Sequence, residues 1–317
     1  MKKTNLLAVL ALAASSFYLH AQSTVSTPVV GFEKKSFPIG STAQGVGFVL
    51  AAQFQGTASS VTANNLSTAS SSFSANAYAP VGGLPSHYIQ ITSGPQTGLV
   101  VDIIGNSATT LNVSTGDLSS VSGTTPSFVV RPHLTAAQLF QGNTSLGDYS
   151  DTLLVYNSDG TSTTILRDSS SSTGWVNPET LSPQNLIIYP GQGFLLNTQG
   201  EGNFTVTGLV NPTQTIVPLY SGKVNLVSLS NPSNSKQIQS INLGANLEAF
   251  ADTVGTFSSD GSLAQVGTYL WAGSADGGFV NPETLSPVVG VAVGGTSAVI
   301  VNTTFDVTWT LASPLSP

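Results

Sequence analysis

The chain has 317 residues, no cysteine, and 8 basic against 15 acidic residues, a formal net charge of −7. Without thiols there are no disulfides, thiolate metal sites or cysteine nucleophile, and so few Lys and Arg exclude a nucleic-acid partner, whose phosphates those side chains hold. Charged residues form 7% of the chain and hydrophobic residues 40%, against a usual ~25% charged; disordered chains lack such apolar content, so polarity here comes from Ser, Thr, Asn, Gln and Gly over an apolar interior.

Residues 1–21 read as a cleaved signal peptide. Lys2 and Lys3 precede an apolar run from Leu6 to Ala14, and Leu19-His20-Ala21 supplies a cleavage site before Gln22. The run is too short to span a bilayer, and no later segment is long and apolar enough. The expectation is export to the periplasm, cell surface or extracellular space, with no transmembrane segment in the mature chain. Loss of Lys2 and Lys3 takes the 8 basic residues to 6 against 15 acidic, a net charge of −9.

Residues 24–133 are read as an N-terminal β module. "GVGFVLAAQFQGTASSVT" at 45–62 suggests one strand followed by another, and the Ser/Ala/Asn-rich stretch after it suggests a mobile loop or weak strands. "YIQIT" (88–92), "GLVVDII" (98–104) and "TLNVST" (110–115) are short, rich in β-branched or aromatic residues, and bounded by turn formers. "LTAAQLF" at 134–140 is the one helix signal, with Thr135 as its cap. "TLLVY" (152–156), "GFLLN" (193–197), "FTVTG" (204–208) and "NLVSLS" (225–230) continue the strand pattern. "FTVTG" alternates, which puts Phe204 and Val206 on one buried face.

Three stretches repeat. "GWVNPETLSP" at 174–183 returns as "GFVNPETLSP" at 278–287, with Phe279 for Trp175. "SDTLLVYNSDG" at 150–160 aligns with "ADTVGTFSSDG" at 251–261, pairing Asp151 with Asp252 and the Asp159-Gly160 turn with Asp260-Gly261. "FTVTGLV" at 204–210 aligns with "FDVTWTL" at 305–311. The expected fold is all-β: tandem β-sandwich or small-barrel modules with short strands and almost no helix. Repeat unit 1 spans 136–215, and 216–317 holds a linking strand plus repeat unit 2. Each ten-residue motif is expected to be a corner. Its aromatic residue enters the core, Asn177-Pro178 or Asn281-Pro282 turns the chain, and Glu179 or Glu283 sits in the first turn. Leu181 or Leu285 re-enters the core, and Pro183 or Pro287 ends the segment.

"SHYIQITSGPQTGLVVDIIGNSATTLNVS", "FVVRPHLTAAQLF" and "LIIYPGQGFLLNT…FTVTGLV…GKVNLVSLSNP" together resemble an uncharacterised family of exported, β-rich bacterial proteins. The likeness covers most of the mature chain, although the second repeat replaces "PG-x-GF" with "VGGTSAVIV". It implies export and β structure. No activity is assigned to the family, so it implies no chemistry.

No catalytic, cofactor-binding or metal-binding residue is nominated. His87 and His133 lack a triad-like neighbourhood, and GxSxG and HExxH are absent. Asp148, Asp151, Asp159, Asp168, Asp260 and Asp276 are read as turn, loop or strand-end carboxylates. Calcium is the minor alternative, because loop Asp and Asn oxygens suit that ion. Trp175, Trp271 and Trp309 are expected in the core. The leading expectation is a non-enzymatic structural or interaction protein whose partner is a surface polymer, a glycan or a protein. A glycan-binding β module is the alternative, and a hydrolase comes third. The discriminators are physical. A scaffold buries Trp175 and Trp271, a glycan site exposes a tryptophan beside Asn, Asp or Gln, and an enzyme brings His87, His133 or two carboxylates into a pocket.

Overall fold

An alternating strand buries every second side chain, and Gly202–Val210 does so, with Phe204 and Val206 each 3% exposed. The computed structural model describes residues 28–229, 237–257, 262–263, 267–293 and 298–315. The signal-peptide segment and the Asp260-Gly261 turn lie outside the described residues. The fold is all-β, built from antiparallel sheets with one short α-helix. Among the described residues no sheet closes into a barrel. The helix, Ala136–Leu139, is capped by Thr135, whose hydroxyl accepts from Gln138 N while the Gln138 side chain accepts from Thr135 N.

Two five-stranded sheets share one plan. The first runs Trp175–Val176, Ser162–Arg167, Thr152–Tyr156, Gly193–Thr198, Gly40–Gly45. The second runs Phe279–Val280, Gly267–Trp271, Thr253–Thr256, Ala298–Asn302, Asn225–Ser228. Thr152 faces Asn197 as Thr253 faces Asn302, and Leu196 faces Thr42 as Val301 faces Asn225. Even a side-chain bond repeats: Thr42 Oγ1 donates to Leu196 O, and Asn225 Nδ2 to Val301 O. Each sheet is matched by a smaller pairing, Gly202–Val210 with Val30–Phe37 in one unit and Val307–Leu311 with Thr215–Leu219 in the other.

The two units therefore begin earlier than the repeated words suggest. Val30–Phe37 and Gly40–Gly45, grouped above with 24–133, supply a strand of the smaller pairing and a strand of the five-stranded sheet of the first unit. Thr215–Leu219 and Asn225–Ser228, read above as the end of unit 1 and a linking strand from 216, supply the same two strands of the second. Strand pairing overrides chain proximity, so an alignment of neighbouring segments misses it. Gly45 corresponds to Ser228, a shift of 183 positions, from their pairing with Gly193 and Ala298. After the interruption the shift is 102, because Ala136 N bonds Leu186 O as Ile238 N bonds Val291 O. The first unit thus carries about 81 more residues here, the difference of the two shifts.

Those residues form an inserted β module of two four-stranded sheets, Phe54–Thr57/Ser127–Pro132/His87–Ile91/Val100–Asp102 and Ser60–Val61/Asn65–Ser67/Thr110–Asn112/Gly105–Asn106. It has its own core around Ile89, Ile91, Leu111, Phe128 and Val130. The Ser/Ala/Asn-rich stretch belongs to it: Asn65–Ser67 is a strand, and Phe73 and Tyr78 are buried. The module is tied to Gln214, whose Nε2 donates to Thr97 O at 2.7 Å, and to the first strand of the second unit, where Ile216 N donates to Gly98 O at 3.0 Å.

The two repeat sheets meet through matched residues. Ala43, Leu226, Phe257 and Ala298 form a buried cluster, with Tyr156, Leu195 and Ile300 packed against it. By the strand equivalences Ala43 answers Leu226, Tyr156 answers Phe257, and Leu195 answers Ile300. The contact is close: a Cβ at Gly45 would collide with Ser228, and one at Gly193 would meet Ala298 Cβ at 2.8 Å. Strand contacts run between the last two strands of each sheet, Gly193–Thr198 and Gly40–Gly45 against Ala298–Asn302 and Asn225–Ser228, so Trp175–Val176 and Phe279–Val280 lie on the opposite outer edges.

Candidate functional site

Each outer edge carries one corner. Trp175 is 0% exposed and Phe279 1%, so both rings plug their cores. Trp175 packs edge-on against Phe140 at 5.5 Å, and the Arg167 guanidinium stands 5.6 Å over its ring. The turns superpose bond for bond. Asn177 Oδ1 accepts from Glu179 N at 2.8 Å and Thr180 N at 3.0 Å, and Asn281 Oδ1 accepts from Glu283 N and Thr284 N at the same distances. Leu181 N donates to Asn177 O, and Leu285 N to Asn281 O, both at 2.8 Å.

The leucines depart from expectation. Leu181 and Leu285 are each 56% exposed and do not return to the core. Their φ angles are 54° and 53°, in the left-handed region. Asn capping forces the chain to reverse there, and the reversal points both side chains outward. A branched residue in that conformation costs roughly 1–2 kcal/mol, which Gly or Asn would avoid.

The corners differ in how they are braced. The carbonyls of Trp175 and Gln184 both accept from the Thr173 hydroxyl, whereas those of Phe279 and Val288 both accept from Gln239 Nε2. Gln239 comes from a distant segment and had no signal in the sequence. Arg167 and Trp271 occupy equivalent positions, cross-strand from Trp175 and Phe279. Arg167 is buried and donates to Gly174 O and Asn143 O. Trp271 is only half-buried, a correction to its expected core placement. Its ring lies against Gly244, where any Cβ would collide, and 5.0 Å from Phe279. It lines a shallow groove of about 510 Å³ with Gln239, Ser274, Gly277, Pro287 and Val288, none of them charged. Comparison with protein-family models, characterised proteins and solved structures returns no match.

The histidines sit elsewhere, on the inserted module. His133 Nε2 lies 3.0 Å from Asp102 Oδ1, off the line of a hydrogen bond, and Tyr189 Oη donates to Asp102 Oδ2 at 2.7 Å. Tyr189 belongs to the first repeat unit, so this cluster fastens module to unit. Burial, then the Asp102 charge, pushes the Tyr189 hydroxyl well above its ordinary value. The cavity beside it, between Tyr88, Pro132 and Tyr189, holds about 10 Å³, no more than one water. His87 Nδ1 is 2.8 Å from Ser86 Oγ, but that hydroxyl also donates to Ala79 O at 2.8 Å. His87 Nε2 meets Gln53 Oε1 at 3.0 Å, so no carboxylate orients the ring. Among the described residues no group of three or more His, Asp or Glu is disposed to hold a metal ion. Asp148 and Asp168 tie loops through Ser169 and Ser170, and Asp159 closes its turn on Thr161. Asp276 ends an exposed 3-10 turn, Ser274–Asp276.

One further ionic pair is internal. Lys35, 0% exposed, has its Nζ 3.6 Å from Glu33 Oε2. Burial pulls the Lys35 amine down to about 8 from 10.5, outweighing the attraction of Glu33. The unfolded chain holds that proton up to about 10.5 and the folded chain releases it near 8, so between these values folding gains as pH rises. Tyr88 and Tyr189, raised by burial, act in the opposite sense once unfolded tyrosines ionise near pH 10. The urea midpoint is therefore expected to rise between pH 7.5 and 9.5, and to stay flat in Lys35→Met. A wild-type midpoint that falls over this window contradicts the assignment.

Proposed function

We propose that this chain is an exported, non-enzymatic structural or interaction protein of the cell surface, periplasm or matrix. The observation that carries the reading is the duplicated framework itself. Two sheets with one strand plan are locked back to back, each sealed by a buried ring at a corner. The supporting detail is that Asp148, Asp159 and Asp168 tie loops and turns, and Asp102 with Tyr189 ties the module to the first unit. The acidic, Lys- and Arg-poor composition supports a partner other than nucleic acid. Export rests on residues 1–21. Fractionation of source cells with a specific antibody, and determination of the mature N-terminus, test it. The expected result is an extracytoplasmic protein beginning at Gln22. A cytoplasmic protein that retains Lys2 and Lys3 overturns the reading.

One observation favours the second reading, a glycan-binding module: Trp271 is half-buried in a groove beside Gln239. Glycan sites pair an aromatic face with polar groups that fix orientation. Here the Gln239 amide nitrogen donates to Phe279 O and Val288 O, and its oxygen accepts from Phe279 N, so both polar atoms are engaged. Titration with cellohexaose or laminarihexaose is therefore expected to give no saturable change in tryptophan fluorescence. A saturable change that disappears in Trp271→Ala would establish the glycan reading instead.

A further inference from the structure

We infer that the two NPETLSP corners are a duplicated docking surface for a basic protein partner. The inference rests on the interaction reading above and names its surface. Residues 178–183 and 282–287 are all exposed, and all six pairs are identical. Other positions of the two sheets have diverged: Val155 answers Thr256, Gly193 answers Ala298, and Arg167 answers Trp271. Folding explains Asn177 and Asn281, which cap the turn, and Pro178 and Pro282, which hold its first φ. It does not explain the leucines. Both copies keep an exposed leucine in a left-handed conformation that Asn would adopt with less strain. The turn's hydrogen bonds fix each side chain outward, so little freedom is lost when a partner receives it.

Charge selects the occupant. Glu179 and Glu283 stand beside the leucines, and among the described residues neither lies within ion-pair distance of a cation. The whole chain carries −7, so an acidic partner is repelled. The surface that the two corners share is aliphatic and proline, with no aromatic platform common to both, since Trp271 flanks the second corner where Arg167 stands at the first; that suits a protein socket better than a sugar. The fitting partner has an apolar socket for leucine, rimmed by Lys or Arg, in at least two copies. Because the corners lie on opposite outer edges of the paired sheets, one chain can bridge two such sockets.

A photoreactive diazirine amino acid at position 181, 285 or 271 of the full chain, produced in source cells, tests this. The expected result is one polypeptide trapped from both 181 and 285, attached through a Lys- or Arg-containing segment. Trapping should fall at least about tenfold in Glu179→Lys with Glu283→Lys, given the strength of close charge pairs at interfaces. Purified Leu181→Asn/Leu285→Asn should lose binding to that polypeptide by about 100-fold while its melting temperature rises by about 1–4 °C. No adduct, different adducts at the two corners, an adduct with a second copy of this chain, or a melting temperature that falls overturns the corner assignment. A partner trapped only from 271 overturns it too, yet leaves the interaction reading standing.

Discussion

Trp175→Ala is expected to lower the stability of the first repeat unit by about 3–5 kcal/mol, the range for large aromatics removed from a closed core. The ring is 0% exposed, stacks edge-on against Phe140, and carries the Arg167 guanidinium on its face. Truncation opens a cavity and also leaves Arg167, itself buried, without its aromatic cover. Trp175→Phe should cost less, about 1–3 kcal/mol, because it removes only part of the buried ring and leaves a smaller cavity. Phe279 already fills the same position in the second unit, and the Trp175 indole N–H is buried without an acceptor. Losing that unsatisfied donor offsets part of the lost packing. Urea denaturation of both variants, followed by far-UV circular dichroism, measures the difference. Equal losses for Ala and Phe would mean that the indole nitrogen, rather than the volume of the ring, closes the corner.

The sequence made the strands legible where local pattern decides them. "TLLVY" is the strand Thr152–Tyr156, and Trp309 lies on a buried face with Leu311, as its alternation predicts. The capped turn of helix at Thr135 was legible for the same reason, since a cap is a contact within one turn. The assignment of Gly40–Gly45 to the first repeat sheet was not. Its partner strand is about 150 residues away, and the inserted module separates it from the rest of its unit. At the corners, the buried rings and the Asn-Pro turns followed from residue type. The outward leucines did not, because apolarity predicts burial and the left-handed φ that overrides it is set by the whole turn. The Trp271 groove depends on Gly244 and Gln239, neither of which resembles a site in sequence.

The pairing of Asp151 with Asp252 by sequence acquires a physical reason that yields the second large effect. Both carboxylates are 1% exposed. Asp151 Oδ2 accepts from Gly147 N and Oδ1 from Gln199 N, each at 2.9 Å. Asp252 Oδ2 accepts from Glu248 N and Oδ1 from Thr304 N, each at 2.8 Å. Each buried carboxylate thus joins the loop before its strand to the loop after the neighbouring strand, and accepts from two backbone donors on exposed loop residues. Asp151→Ala or Asp252→Ala removes two charge-assisted hydrogen bonds, about 1.5–3 kcal/mol each at full strength; water can serve the donors, which lie on exposed residues, so a loss of about 1–3 kcal/mol is expected at either site. Asn should recover only part of it, because its NH₂ turns a donor toward a donor on one side. Added calcium separates this role from ion binding: a carboxylate that serves backbone N–H groups gives the same urea midpoint with and without millimolar calcium. A midpoint that rises with calcium in the wild-type chain, and not in Asp151→Asn, would reassign these residues from loop ties to cation ligands.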